Sequence, residues 1–156
     1  MKVMGFTNYD TFDYVDAPSG YSEANENKTP GLGRIVELSK EITLEELCEL
    51  VKEKFHMNCI RYVGDKNAQI RKVAVITGGA ADMFPKAKVA GADAFISGDM
   101  KYHNAQDAIV ANMNVIDCGH YETEVIFRDA IGEFLEQFPD LTILKSELSI
   151  NPFQIL

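Results

Sequence analysis

The chain has 156 residues, 46% apolar and 25% charged, with a formal net charge of −9. This is the size and balance of one globular domain with a substantial core. With 15 Lys and Arg against 24 Asp and Glu, the balance argues against nucleic acid as a main partner and disfavours an anionic membrane surface, since both require a basic face.

No apolar run approaches the ~20 residues that span a bilayer, and Met1-Lys2-Val3-Met4-Gly5 carries no signal-peptide core. The cysteines Cys48, Cys59 and Cys118 are odd in number and lie in apolar surroundings. They read as reduced core residues of a cytoplasmic protein, not as a disulfide framework.

Residues 1–33 form an irregular N-terminal segment. Phe12, Tyr14 and Val15 alternate with polar neighbours as a short strand would, and 17–33 is a polar, Gly/Pro/Asn-rich stretch expected to be a mobile loop from 17 to 28. The α/β domain occupies 34–156. Arg34 to Leu38 reads as a short strand, and Thr43 with Glu46 as a capping box for a helix striped by Leu44, Leu47, Cys48, Val51 and Phe55. Strands are expected at Asn58–Val63 and Lys72–Thr77, then a Gly78-Gly79 turn and a helix over 82–90. Ala94–Ser97 is a third buried strand, followed by Gly98-Asp99 and a helix over 102–111. Val115-Ile116 leads to a helix that starts at His120 and reaches Phe138, and Leu141–Leu144 makes a final strand. Alternating strands and helices predict a mostly parallel sheet flanked by helices.

Ligands bind beyond the carboxyl ends of such strands, where three polar loops open. In Ile116-Asp117-Cys118-Gly119-His120-Tyr121-Glu122-Thr123-Glu124, the i, i+4 spacing of His120 and Glu124 sets both on one helical face. That face continues as Phe127, Ile131 and Phe134, so the pair is expected to point inward, with Glu122 on a different, exposed face. Imidazole and carboxylate together suit a divalent metal, and two ligands alone do not hold one. Gly78-Gly79-Ala80-Ala81 is either a phosphate-cradling turn or a plain tight turn between strand and helix. Asp99 reads as a helix cap, and His103 as structural, as an acid–base group or as a metal neighbour. His56 reads as an ordinary helix-end residue.

Four ordered motifs give a specific resemblance. They are Gly31-Leu32-Gly33-Arg34-Ile35, Val73-Ala74-Val75-Ile76-Thr77-Gly78-Gly79, Gly91 through His103, and Asp117-Cys118-Gly119-His120 with Glu124; Asn151-Pro152-Phe153 adds a matching ending. The sequence from Gly31 to Phe153 resembles the NIF-three-like family, known as GTP cyclohydrolase 1 type 2 homologues. That resemblance implies an α/β fold in two similar halves, a dinuclear metal centre in the cleft between them, and ring-shaped assemblies, so a homo-oligomer. It implies that His120 and Glu124 are metal ligands and that His103 lies near the cleft as the candidate catalytic residue. The ions it implies are divalent (zinc, manganese or iron), two per complete site.

The chain also departs from the family. Members are normally much longer, and their N-terminal half brings a His-His pair and an Asp to the metals, whereas the only histidines here are His56, His103 and His120. Thr7-Asn8-Tyr9-Asp10 resembles the family's His-Thr-Asn-x-Asp segment with Phe6 in place of the His, which makes Asp10 one option for a third carboxylate; the end of an inserted domain is the other reading of this segment. The chain is thus expected to be the C-terminal half of a two-lobed fold. Its expected function is that of a metal-dependent hydrolase acting on a small molecule, with the site completed by the missing N-terminal half. The alternative is a non-catalytic oligomeric scaffold or regulatory interaction module.

Overall fold

A computed structural model describes residues 4–5, 9–14 and 31–154, with the backbone alone at 13 and 14. Six strands, β1 (Tyr9–Tyr14), β2 (Gly31–Thr43), β3 (Arg61–Val63), β4 (Gln69–Val75), β5 (Ala94–Ser97) and β6 (Asn114–Asp117), form one sheet in the order β1-β2-β4-β5-β6-β3. Five helices accompany it: α1 (Leu44–Phe55), α2 (Phe84–Val89) after a 3₁₀ turn at Ala81–Met83, α3 (Tyr102–Val110), α4 (His120–Glu124) and α5 (Phe127–Leu135).

The sheet is mixed, which corrects the expectation of a mostly parallel one. β4, β5 and β6 run parallel, while the β1–β2, β2–β4 and β3–β6 pairs are antiparallel. Parallel neighbours need a crossover of a dozen or more residues. Although β3 and β4 are not neighbours, residues 64–68 between them are too few to run back along the length of the sheet, so β3 runs opposite to β4 and to the strands parallel with it.

Alternation along the strands divides the core between the two faces. Val73, Val75, Ala94, Ile96 and Ile116 pack with Leu44, Leu47, Val51 and Phe55 of α1. Ala74, Phe95 and Val115 face the other way, onto Phe84 and Ala87 of α2 and Ala108 of α3. Leu44, Leu47 and Val51 are fully enclosed, and each such side chain contributes roughly 1.5–3 kcal/mol of burial. The capping box forms as expected: the Glu46 N–H donates to Thr43 Oγ1 at 3.1 Å and the Thr43 N–H to Glu46 Oε2 at 2.7 Å. His56 closes α1 in the left-handed region with φ 55°.

Four further expectations are corrected. The helix starting at His120 is two short helices, α4 and α5, with Val125 and Ile126 between them. Residues 141–154 contain no strand; the stretch follows the chain's surface instead of entering the sheet and leaves Leu141, Leu144, Leu148, Ile150 and Phe153 exposed. Phe127, Ile131 and Phe134 are 66%, 37% and 57% exposed, so their stripe does not face this chain's core. Cys59 is exposed, while Cys48 and Cys118 are buried, and all three are free. Residue 33 lies within β2, and β1 pairs with residues 31–36. The loop read at 17–28 lies outside the described residues. Among those described, no helix is long and apolar enough to cross a membrane.

Candidate metal centre

Because β4, β5 and β6 are parallel, the loops after them share one edge of the sheet. They are laced together there. The Gly98 N–H donates to Gly78 O at 2.9 Å and the Cys118 N–H to Ser97 O at 2.8 Å. Gly98 lies so close to the next loop that a Cβ would sit 2.5 Å from Gly119 O. The expected convergence of three loops is therefore observed.

Gly119, at φ 72°, turns the chain out of β6 into α4, a left-handed conformation that glycine adopts without strain. α4 places His120 and Glu124 one turn apart, with His120 Nε2 3.3 Å from Glu124 Oε2. On its other side, His120 Nδ1 is 2.7 Å from Asp99 Oδ2. The His120 and Glu124 side chains are 49% and 54% exposed, so the pair faces open space and not the core. The hydrogen bond that His120 donates to Asp99 raises the His120 pKa above the ordinary imidazole value; desolvation opposes this, and the Glu124 charge adds to it.

Sequence reading missed three contributors to this edge. Asp99 was read as a cap, but the N-cap of α3 is Lys101, which makes no side-chain cap. Its position at the carboxyl end of a buried strand was the available signal. Thr123 is buried and its Oγ1 accepts the Gly78 N–H at 2.8 Å. That bond occupies the turn's first donor, and α2 is a short helix behind a 3₁₀ turn, so the phosphate reading of Gly78-Gly79 gains no support. Asp117, buried, pairs with Arg61 of β3 and accepts the Gly119 N–H at 3.1 Å, which fixes the loop ahead of His120.

Glu122, expected to be exposed, is half-buried and accepts from Asn151 Nδ2 at 2.8 Å. That contact draws the C-terminal segment across α4. A cavity of about 1000 Å³ results, with Asp99, His120 and Glu124 on its polar side and Phe127, Leu148 and Phe153 on its apolar side. His103, in the first turn of α3, is exposed; its Nδ1 is 3.4 Å from Gln106 Oε1 and its ring meets Tyr102 edge-on. It does not line the cavity of His120. Asp10 lines a separate cavity with Lys72, Pro85 and Val89.

The donor set suits a metal only in part. His120 Nε2 and Glu124 lie side by side and can share one ion, as imidazole and carboxylate do for zinc, manganese or iron. Asp99 is on the opposite side of the ring and cannot reach the same ion. Accordingly, no group of three or more His, Cys, Asp or Glu among the described residues is arranged to hold a metal. The residues present fit one part of a centre.

The Duf34/NIF3 (NGG1p interacting factor 3) family pattern matches residues 1–152. The chain belongs to the Duf34/NIF3 family. The resemblance read from its motifs is thereby borne out. Similar Duf34/NIF3 relatives include a GTP cyclohydrolase 1 type 2 homolog of Clostridium acetobutylicum, 39% identical over 132 residues that make up 81% of this chain and 49% of the relative. One of Staphylococcus epidermidis is 34% identical over 93% of this chain and 41% of its own length. The chain thus spans about half the length of the curated relatives it matches, or less. Among solved structures, a Staphylococcus aureus hypothetical protein superposes with a TM-score of 0.85 at 27% identity, over 99% of this chain and 62% of its own. A Bacillus cereus protein related to NIF3 superposes with a TM-score of 0.76 at 34% identity, over 83% and 37%. The α/β fold is therefore that of part of a Duf34/NIF3 protein.

Proposed function

We propose that this chain supplies one half of a dinuclear metal centre, with His120 Nε2 and Glu124 as its ligands, and that the complete protein is a metal-dependent hydrolase of small molecules. The observation that carries this reading is the 3.3 Å approach of Nε2 to Glu124 Oε2 at the carboxyl edge of a parallel strand set, beside a cavity of about 1000 Å³. His120 and Glu124 would hold part of such a centre, and a divalent zinc, manganese or iron there would supply an acidified water and a polarised substrate bond. The chain's own residues bind and orient. α4 fixes the ligand pair, Thr123 ties α4 to the Gly78 turn, and Arg61 with Asp117 holds the loop ahead of His120. The apolar wall of Phe127, Leu148 and Phe153 offers a substrate an apolar surface beside the pair. His103, exposed on α3, is the proposed proton carrier, brought into play by a second lobe or chain.

Zinc titration of the 156-residue chain beside its His120→Ala and Glu124→Gln variants tests this reading. Weak binding lost in both variants is expected; binding that survives both refutes it. Two ligands leave the remaining coordination positions to water, so tight binding and hydrolysis are expected only with the missing half present.

A non-catalytic oligomeric scaffold is the second reading, favoured by the exposed Phe127, Ile131 and Phe134 on α5. Light scattering distinguishes the two: a homo-oligomer that persists in His120→Ala with no metal bound in either protein supports the scaffold.

A further inference from the structure

We infer that Asp99 is a positioning residue for His120: its carboxylate keeps Nδ1 as the N–H donor and leaves the Nε2 lone pair facing Glu124. The inference deepens the metal-site reading and rests on it for its purpose, although the contact itself is independent of any ion.

One side-chain contact and three features of the backbone converge on this pair. Asp99 Oδ2 lies 2.7 Å from His120 Nδ1, within the range of a charge-assisted hydrogen bond. Asp99 holds φ 57°, in the left-handed region where glycine is the default; aspartate tolerates it better than most residues, and a glycine there would bring no carboxylate. Gly79 leaves room for the pair, since a Cβ on it would lie 2.8 Å from Asp99 Oδ2 and 3.3 Å from His120 Nδ1. The close approach of Gly98 to Gly119 O brings the loop carrying Asp99 against the one carrying His120. Helix capping does not account for the arrangement, because the cap position of α3 belongs to Lys101.

A neutral imidazole has one donor and one acceptor nitrogen, and the hydrogen bond made by one decides which role the other takes. Two carboxylates compete for the ring's proton, and Asp99 makes the shorter contact, 2.7 Å at Nδ1 against 3.3 Å from Nε2 to Glu124, so the neutral ring keeps its proton on Nδ1 and leaves Nε2 open to an ion shared with Glu124. Without Asp99 the ring reverts to a mixture of tautomers and loses one of its two orienting contacts. Carboxylate partners of metal-ligating histidines typically contribute about 10- to 100-fold in affinity.

The test uses the full 156-residue chain. Imidazole ¹⁵N spectra of the metal-free protein are recorded above the ionisation of His120, and zinc titrations are run on wild type, Asp99→Ala, Asp99→Asn and His120→Ala. The wild type should show Nδ1 protonated and Nε2 bare. Asp99→Ala should show a mixed or switched pattern with zinc affinity down about 10- to 100-fold. Asp99→Asn, isosteric and still offering an acceptor oxygen, should keep the wild-type pattern and recover most of the affinity. An Asp99→Ala protein with the wild-type ¹⁵N pattern overturns the inference, as does a folded Asp99→Asn protein with a mixed one. Zinc binding indifferent to His120→Ala defeats the metal reading instead, and the ¹⁵N pattern still decides the role of Asp99.

Discussion

Gly78 and Thr123 are joined by one hydrogen bond, the backbone N–H of the first donating to the buried hydroxyl of the second at 2.8 Å. The hydroxyl in turn donates to His120 O at 2.9 Å. The turn after β4 and the helix bearing both proposed ligands are thus tied through one side chain.

Thr123→Val keeps the shape and removes the acceptor, leaving the Gly78 N–H unpaired in the interior. A loss of about 1–3 kcal/mol is expected, the usual cost of an orphaned buried donor, together with weaker zinc binding as α4 loosens. Urea unfolding measures the first and calorimetry the second. Thr123→Ser should restore much of both.

The glycines of the site should separate by what their missing Cβ would meet. Gly98→Ala strikes the Gly119 carbonyl, which is backbone and cannot step aside, so a large loss of stability is expected. Gly78→Ala presses on the Glu124 carboxylate, which can move, but holds φ 71° and so carries roughly 1–2 kcal/mol of backbone strain. Gly79→Ala has no positive φ and meets only the mobile ends of Asp99 and His120, so it should disturb zinc binding more than folding. Melting temperatures and zinc affinities of the three variants check this order.

Thiol chemistry should report the packing. Cys59 is exposed and should react rapidly with a thiol reagent, with Cys48 and Cys118 reacting only on unfolding. Burial pushes the Cys48 thiol up to about 11 and Cys118 upward as well. An unfolded thiol ionises near ~8.5, so above that pH the unfolded chain has lost protons that the folded chain retains. Stability should therefore fall as pH rises from the ordinary thiol value towards that of Cys48. Cys48→Ala should flatten the slope of stability against pH in urea titrations between those limits.

His120 should titrate above the ordinary imidazole value, and Asp99→Ala should lower its midpoint, since that hydrogen bond is the largest cause of the shift. The sign for stability follows from a raised folded value: the contribution is complete below the unfolded value and disappears as pH rises through the folded one. The ring is half-exposed, so solvent keeps this contribution small. An NMR titration of the ring protons measures both midpoints.

The α1 segment was legible in sequence because its information is local: Thr43 and Glu46 signal the start, and the apolar spacing from Leu44 to Phe55 fixes the face. β5 was legible to the residue, since Ala94–Ser97 is an uninterrupted buried run. The sheet's mixed direction was not, because antiparallel pairing of β3 with β6 depends on a partner far along the chain. The outward face of Phe127, Ile131 and Phe134 was misread for a related reason: periodicity shows that a helix is amphipathic and does not say which surface it meets. Of the candidate site, His120 and Glu124 emerged from spacing on one helix. Asp99 did not, since its contact with His120 crosses 21 residues and its position ahead of a helix suggested a local role.

Arg61 and Asp117 stand 56 residues apart in sequence, and a contact that long-range is expected to form late. A chain emerging from synthesis can pair β2, β4 and β5 as soon as residue 97 is available, while Arg61 still has no carboxylate to meet. Closing so long a loop adds little to the equilibrium cost, roughly 0.6 kcal/mol for each doubling of length, so the topology governs timing more than final stability. The loop that introduces His120 gains its anchor only once β6 has docked and β3 has folded back along it. His120 and Glu124 are thus expected to gain hydrogen-exchange protection after the β2, β4 and β5 strands, which pulse labelling during refolding measures.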